Sequence, residues 1–130
     1  MRSAARFEII GWDQEEWDES PAGTLGRARV TKQFHGEVEG SSVAEVLMAG
    51  NADGPLAYTA QERFTGMVGG REGSFLAQHG ASAATDGPVR WLLLGGSGEL
   101  SGIEGTAELV VSADGGHDIV FDYELAGDGS

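Results

Sequence analysis

The sequence predicts an all-β protein: a single eight-stranded antiparallel barrel in meander order, spanning residues 1–130, with little or no helix. Apolar residues recur at every second position in several short runs, as they do in strands that bury one face. Turn sequences rich in glycine separate these runs. Several apolar faces also contain an ionisable residue, which a barrel with an interior cavity accommodates more readily than the dry core of a sandwich.

The alternation places each strand in turn. The run from Arg27 to Val38 is clear, with Ala28, Val30 and Phe34 on one face. The run near 42–50 is apolar on both faces, so both of its faces are candidates for burial. No segment has a sustained period of 3.6 residues, so no long helix is expected. The predicted strands lie near residues 4–12, 27–39, 42–50, 57–68, 73–80, 89–95, 98–111 and 117–125.

Turn chemistry fixes the boundaries between these strands. Glycine supplies the positive φ that tight hairpins need, and proline ends a strand. The glycine-rich segment 95–98 is interpreted as a hairpin, because it lacks the full spacing of a nucleophile elbow or of a dinucleotide-binding loop. The turn sequences are Asn51-Ala52-Asp53-Gly54-Pro55, Gly69-Gly70, Asp86-Gly87-Pro88, Gly95-Gly96-Ser97-Gly98 and Asp114-Gly115-Gly116.

Composition excludes several classes of function. Acidic residues outnumber basic ones 21 to 8, for a net charge of −13, so the chain should repel the phosphates of nucleic acids. It has no cysteine, which rules out a disulfide scaffold. No apolar run approaches the length of a membrane-spanning helix, so no membrane partner is expected. The start, Met1-Arg2-Ser3-Ala4, lacks an apolar signal core, so a cytoplasmic location is expected.

Polar residues within apolar faces are the candidates for chemistry. A buried carboxylate such as Glu62 must be paired, hydrogen-bonded or protonated. Arg63 follows it directly but faces the other side of the strand, so a partner must come from another strand, and Lys32 and His79 are suitable. Such a pair either acts as general acid and base or serves the structure alone. The full set is Lys32, Glu45, Glu62, His79, His117 and Tyr123.

Neither a metal nor a cofactor is predicted. The histidines at positions 35, 79 and 117 are far apart in the sequence and form no local chelating pair.

Aromatic residues are candidates for the wall of a ligand cavity. Phe64, Phe75, Trp91 and Phe121 all fall on apolar faces. They either contact an organic ligand or pack the interior shut. The other two tryptophans, Trp12 and Trp17, flank an acidic segment and have the same two interpretations.

The chain as a whole resembles a family of small, mostly bacterial proteins of unknown function whose barrel is like that of allene oxide cyclase. The resemblance implies a barrel and no particular activity. Allene oxide cyclases and related cyclases fold reactive substrates in an apolar cavity, but this link is one of fold alone. The matching segments are Trp12-Asp13, 28–36, 44–49, Glu62-Arg63-Phe64-Thr65-Gly66, 70–75, 96–105 and Phe121-Asp122-Tyr123-Glu124-Leu125.

Three functions are compatible with these features. The first is a barrel that binds a small, largely apolar organic molecule, with Lys32, Glu45, Phe64, Phe75, Trp91, His117 and Phe121 as ligand contacts. The second is an isomerase or cyclase in the same cavity, with Glu62 as acid and base and His79 or Tyr123 orienting the substrate. The third is a filled barrel that acts only through association. Outer apolar faces, such as that of the run 43–49, suggest a homo-oligomer.

Overall fold

Eight antiparallel strands form a closed barrel in the computed structural model, which describes residues 1–84 and 89–125. Each strand pairs with the next in sequence, and the last pairs with the first, so the predicted fold class and meander order are confirmed. The strands are β1 Arg2–Ser20, β2 Gly23–Gly36, β3 Val38–Asn51, β4 Gly54–Val68, β5 Arg71–Ser82, β6 Val89–Gly98, β7 Glu104–Val111 and β8 His117–Glu124.

The strands differ in length, and this makes one end of the barrel open. β1 to β4 contain 19, 14, 14 and 15 residues, whereas β7 and β8 contain 8 each. β8 pairs only with Arg2 to Phe7 of β1, and the pairing of β5 with β6 reaches no further than Gln78. At a rise of about 3.3 Å per residue, the first four strands therefore form a tall wall opposite a low one.

The other end of the barrel is filled with large apolar side chains. Phe64 lies between two aromatic neighbours, with ring centroids 5.4 Å from Phe34 and 5.0 Å from Phe75. Leu100 and Ile103, from the segment between β6 and β7, are also buried in this cluster. Full burial of one such side chain stabilises the fold by about 1.5–3 kcal/mol, so this half holds most of the core.

The open end has small side chains in the equivalent positions. A separate apolar cluster joins Ala28, Val30, Ala44, Val46 and Ala60 of β2, β3 and β4. Every second residue of a strand faces inward. Along β2, these inward residues change from small ones near the mouth, Ala28 and Val30, to Phe34 near the base. The barrel is consequently a cup, with a packed base and an open mouth.

Two glycines allow β3 and β4 to approach closely near the base. Gly40 and Gly66 lie opposite each other in the pairing, with φ of 150° and 152°. A Cβ at Gly40 would lie 2.9 Å from the Cα of Gly66 and 3.0 Å from the ring of Phe64. Any larger residue at either position would therefore push the strands apart.

The observed bounds differ from the predicted ones by one to four residues at most of the strand ends, and two strands differ by more. The strand predicted at 4–12 continues to Ser20 in the structure. The prediction stopped too early because register shifts after Ile9 and after Glu16 interrupt the alternation of apolar residues. The predicted strand 98–111 begins only at Glu104. Residues 99–103 instead form turns, in which Leu100 donates to the Ser97 carbonyl at 3.0 Å and Ile103 to that of Leu100 at 3.1 Å.

One predicted turn, Asp86-Gly87-Pro88, lies outside the described residues. The turn predicted at Gly69-Gly70 is confirmed, with φ of 58° and 83°. Across residues 1–84 and 89–125, no helix is long and apolar enough to cross a membrane.

Candidate binding cavity

The mouth of the cup contains a cavity of about 590 Å³. Its walls are mainly apolar and come from the tall strands, with contributions from Ile9, Val30, Ala44, Val46 and Met48. Leu109 and His117 complete the low side. The cavity therefore offers an organic molecule an apolar surface that is open to solvent at one end.

A layer of polar side chains separates this cavity from the packed base. Each of four consecutive strands contributes one inward residue to it: Lys32 from β2, Ser42 from β3, Glu62 from β4 and His79 from β5. All four are buried. Lys32 lies opposite Ser42 in the pairing, and the tilt of the strands brings the other two to the same level.

Glu62 is the centre of this layer. Its Oε1 accepts hydrogen bonds from Lys32 Nζ at 2.9 Å and from His79 Nε2 at 2.8 Å. Its Oε2 accepts one from Ser42 Oγ at 2.6 Å. Both carboxylate oxygens are thus engaged, and the Glu62 side chain is only 1% exposed.

The surroundings of Glu62 favour its ionised form. Burial is the largest single influence and acts to raise the pKa of Glu62. The hydrogen bond from His79, the charge of Lys32 and the remaining hydrogen bonds together outweigh burial, so the pKa lies below its usual value of 4.5. Glu62 is therefore a fixed buried anion at neutral pH.

Lys32 is enclosed by aromatic rings as well as by its carboxylate partner. Its Nζ lies 4.7 Å from the ring centroid of Phe7 and 4.7 Å from that of Trp91. The faces of aromatic rings attract cations, most strongly where water is excluded. These contacts hold the ammonium group in place beside Glu62.

His79 connects the polar layer to the cavity through Tyr58. The imidazole stacks on Trp91 with ring centroids 4.4 Å apart, which fixes its plane. Its Nε2 faces Glu62, and its Nδ1 is 3.1 Å from the Tyr58 hydroxyl. Tyr58 and His79 both line the cavity, so a chain of hydrogen bonds runs from Glu62 to the cavity wall.

Tyr58 keeps its proton in this position. Partial burial, and then the negative charge of Glu62, raise the pKa of the Tyr58 hydroxyl above its usual value of 10.0. The neutral hydroxyl can act as a hydrogen-bond donor or acceptor.

The structure brings together three of the predicted site residues, Lys32, Glu62 and His79, and places His117 at the cavity wall. His117 is half-buried and stacks on Phe7, with ring centroids 4.9 Å apart. The partner of Glu62 comes from other strands, as predicted, and both suggested partners contact it.

Glu45 lies elsewhere, and the prediction that it faces the interior is wrong. Its side chain is 57% exposed on the outer face of β3, where Arg29 contacts it at 2.7 Å. The inward residues of β3 are its neighbours Ala44 and Val46. Val43 and Leu47 share the outer face of β3 with Glu45, and because they are apolar this face resembled a buried one.

Tyr123 is buried as predicted, but at the base and not in the cavity. Its hydroxyl is 3.0 Å from Ser3 Oγ and close to Gly69, in the turn between β4 and β5. Tyr123 is therefore too far from the mouth to contact a molecule held there. The prediction that Tyr123 orients a substrate in the cavity is wrong.

The predicted aromatic contacts also belong mainly to the base. Phe64, Phe75 and Phe121 are each buried in the filled half, below the polar layer, and none lines the cavity. Trp91 supports Lys32 and His79 from the same side. These aromatic residues therefore pack the interior of the base, which is the second of their two interpretations.

Sequence analysis missed two residues of the site, Ser42 and Tyr58. Ser42 carries no charge and resembles any small inward residue. Tyr58 shares a face with Ala60 and Glu62, a pattern that could have identified it. Trp12, for which ligand contact was one of two interpretations, lines the mouth. The register shift after Ile9 keeps the side chains of Ile9 and Trp12 on the cavity face.

No metal site accompanies this layer. Within the described residues, no group of three or more histidine, cysteine, aspartate or glutamate side chains could hold a metal ion.

Comparison with known proteins gives a family but no activity. The model of a family described as "Protein of unknown function (DUF3224)" matches residues 3–123. A crystal structure of a protein of unknown function from the DUF3224 family of Shewanella oneidensis MR-1 is similar, with a TM-score of 0.83 and 29% identity over 96% of this chain and 97% of that one. No curated protein shows significant similarity. The likeness to allene oxide cyclase stays a prediction. The chain belongs to the DUF3224 family.

Proposed function

We propose that the protein binds a small, largely apolar organic molecule in the mouth of the barrel. The observation that carries this proposal is the apolar cavity of about 590 Å³ with a buried polar layer as its floor. Cavities that hold small organic ligands range from about 300 to 1,000 Å³ and combine apolar walls with a few placed polar groups.

The distribution of side-chain size supports this proposal. Three consecutive strands, β2 to β4, contribute a cluster of inward residues that are all alanine or valine: Ala28, Val30, Ala44, Val46 and Ala60. Larger residues there would bury more apolar surface and stabilise the fold. A buried ionic layer also contributes little net stability, because both charges lose their hydration. Local departures from the most stable packing are typical of functional sites.

A second candidate function is an isomerase or cyclase that uses the same cavity. The observation that favours it is the chain from Glu62 through His79 to Tyr58, which is suited to moving a proton to or from a bound molecule. Glu62 was the acid and base of this hypothesis. Because three donors hold it as an anion, we assign proton transfer to His79 and Tyr58, with Glu62 orienting the imidazole.

Self-association and a cytoplasmic location are further proposals. Exposed apolar residues on the outer face, such as Leu47, Leu76 and Leu92, offer surfaces that another copy of the chain would bury.

Native mass spectrometry of freshly purified protein, followed by denaturing extraction, tests the main proposal. We expect an organic molecule at defined stoichiometry, and the same spectrum reports the oligomeric state. A tryptophan at position 46 would occupy the cavity, so Val46→Trp should lose the molecule. Leu47→Trp is the matched control, because Leu47 is the next residue of β3 and faces outward.

The outcome of this comparison decides the site. A molecule retained equally by Val46→Trp and Leu47→Trp would place binding outside the cavity and contradict the proposal. Protein that carries no molecule, and that binds none of the probes described below, would contradict it as well.

A further inference from the structure

We propose that the ligand carries a neutral hydroxyl group, which donates a hydrogen bond to the oxygen of Tyr58. This inference rests on the proposed binding function and names the chemical class of the ligand. It follows from the direction of each hydrogen bond between Glu62 and the cavity.

The first bond fixes the His79 proton. An ionised carboxylate only accepts hydrogen bonds, so the 2.8 Å contact requires a proton on His79 Nε2. Glu62 is held in this form by three donors, as its lowered pKa also indicates.

The second bond fixes the Tyr58 proton. Lys32 already balances the charge of Glu62, so a second proton on His79 would add an uncompensated charge to a side chain that is only 5% exposed. His79 is therefore neutral, with its proton on Nε2, and its Nδ1 is an acceptor. The Tyr58 hydroxyl must then donate to Nδ1 across 3.1 Å.

The remaining capacity of Tyr58 determines what it can bind. Its one proton is directed at His79, so its oxygen offers only lone pairs to the cavity. In the described part of the chain, His79 is the partner of this hydroxyl. A ligand that pairs with Tyr58 must therefore donate a hydrogen bond, which a ketone or an ester cannot do.

Charge narrows the class of donor. An ammonium group would lose its hydration in a mainly apolar cavity, and none of the described residues that line the cavity is a carboxylate that could pair with it. A carboxylate lacks a donor and would be repelled by a chain of net charge −13. A neutral donor on an apolar framework meets both requirements, and a hydroxyl is the smallest donor of this kind, so it adds the least polar surface to an apolar cavity.

Equilibrium dialysis with three matched probes tests this inference. The probes are 1-(2-naphthyl)ethanol, 2-acetylnaphthalene and 2-ethylnaphthalene, which share a framework and carry a hydroxyl, a carbonyl or neither. They are compared in the wild-type protein, in Tyr58→Phe and in Tyr123→Phe. Tyr123→Phe removes the hydroxyl at the base of the barrel and is the matched control, with folding of each variant checked by circular dichroism.

We expect Tyr58→Phe to weaken binding of the alcohol about threefold to tenfold, the range that one hydrogen bond supplies. Binding of the ketone and the hydrocarbon should change less than about twofold, and Tyr123→Phe should affect none of the three.

Three other results would overturn the inference in different ways. If Tyr58→Phe weakens the ketone as much as the alcohol, or weakens neither, the cavity binds apolar molecules but Tyr58 does not select a hydroxyl. If none of the probes binds the wild-type protein and the purified protein carries no molecule, the proposed binding function fails and the inference fails with it. If none of the probes binds but the purified protein carries a molecule without a hydroxyl group, the binding function stands and the inference alone is overturned.

Discussion

Glu45 and Glu62 form ion pairs of similar length in opposite surroundings. Glu45 meets Arg29 at 2.7 Å with both side chains more than half exposed. Glu62 meets Lys32 at 2.9 Å, with exposures of 1% and 7%. Water screens the first pair, whereas each charge of the second depends on its partner, because neither can recover its hydration.

Replacing Glu62 should therefore be far more costly than replacing Glu45. Glu62→Gln leaves the Lys32 ammonium buried without a counter-charge, and we expect a loss of about 3–5 kcal/mol in the free energy of unfolding. Glu45→Gln should cost less than about 1 kcal/mol. Urea denaturation of both variants measures the difference. Equal losses would show that the buried pair has no special role in stability.

The partner of Glu62 should be identifiable by a second substitution. Adding Lys32→Met to Glu62→Gln removes the orphaned charge and should restore much of the lost stability, because an apolar side chain of similar volume suits the site. If the double variant is less stable than Glu62→Gln alone, Lys32 is stabilised by Phe7 and Trp91 rather than by the carboxylate.

Glu62 should also make stability depend on pH in the acid range. Its folded-state pKa lies below the usual 4.5, so its contribution is complete above about pH 4.5 and is lost as the pH falls through the folded value. Between pH 7 and pH 3.5, the wild-type protein should therefore lose more stability than the Lys32→Met/Glu62→Gln variant. Parallel losses in urea denaturation at the two pH values would contradict this assignment.

Sequence reasoning identified three of the four residues of the polar layer, because ionisable groups rarely occupy an apolar face. Lys32, Glu62 and His79 each stood out in this way. Glu45 was misplaced because β3 has apolar residues on both faces, so alternation alone did not choose the inner one. Tyr123 was placed correctly in the interior. Its position along the barrel depends on strand register, which one sequence does not reveal.

At the scale of the elements, β1 has two different environments. In the part of the chain that the structure describes, residues 5–7 pair with both β2 and β8, whereas residues 8–20 pair with β2 alone. Acidic residues in this second part discourage another strand from adding to its free edge. Residues 13–20 of this second part were not predicted as a strand from the sequence, because two register shifts break the two-residue alternation that indicates a strand.

The two tryptophans of β1 should respond differently to a ligand. Trp12 and Trp17 are similarly exposed, at 53% and 51%, but only Trp12 lines the cavity. We expect 1-decanol, which does not absorb near 280 nm, to protect Trp12 from acrylamide quenching and to leave Trp17 unaffected. The Trp17→Phe and Trp12→Phe variants each leave one of the two exposed tryptophans, because the third, Trp91, is 1% exposed and is shielded from acrylamide. Equal protection would mean that the ligand binds along the whole of β1.

For the remaining strands, the alternation of apolar residues predicted most features of the barrel. The number, order and type of strand followed from apolar periodicity and glycine turns, since both are local properties. The boundary near 98–104 was misjudged because Leu100 and Ile103 are apolar. Leu100 and Ile103 lie in a turn that covers the base of the barrel, where they are buried against other strands. Contacts between residues far apart in sequence do not appear in a local pattern.

At the scale of the whole molecule, unequal strand lengths and graded side-chain size act together. The large side chains of one half supply the packed core, while β2, β3 and β4 carry a cluster of alanine and valine residues beyond it. The polar layer lies at the boundary, where it is shielded from water below and reaches the cavity above. If the proposed function is correct, stability and binding belong to different halves of the same barrel.

The most direct measurement is methyl NMR of the wild-type protein titrated with 2-ethylnaphthalene. Val30 and Val46 line the cavity, whereas Val38 and Val68 are fully buried at the base. Binding in the mouth predicts that the methyl signals of Val30 and Val46 shift with a common saturation curve while those of Val38 and Val68 stay in place. Shifts at the outer Leu47 and Leu92 with none at Val30 and Val46 would contradict the assignment of the cavity as the binding site.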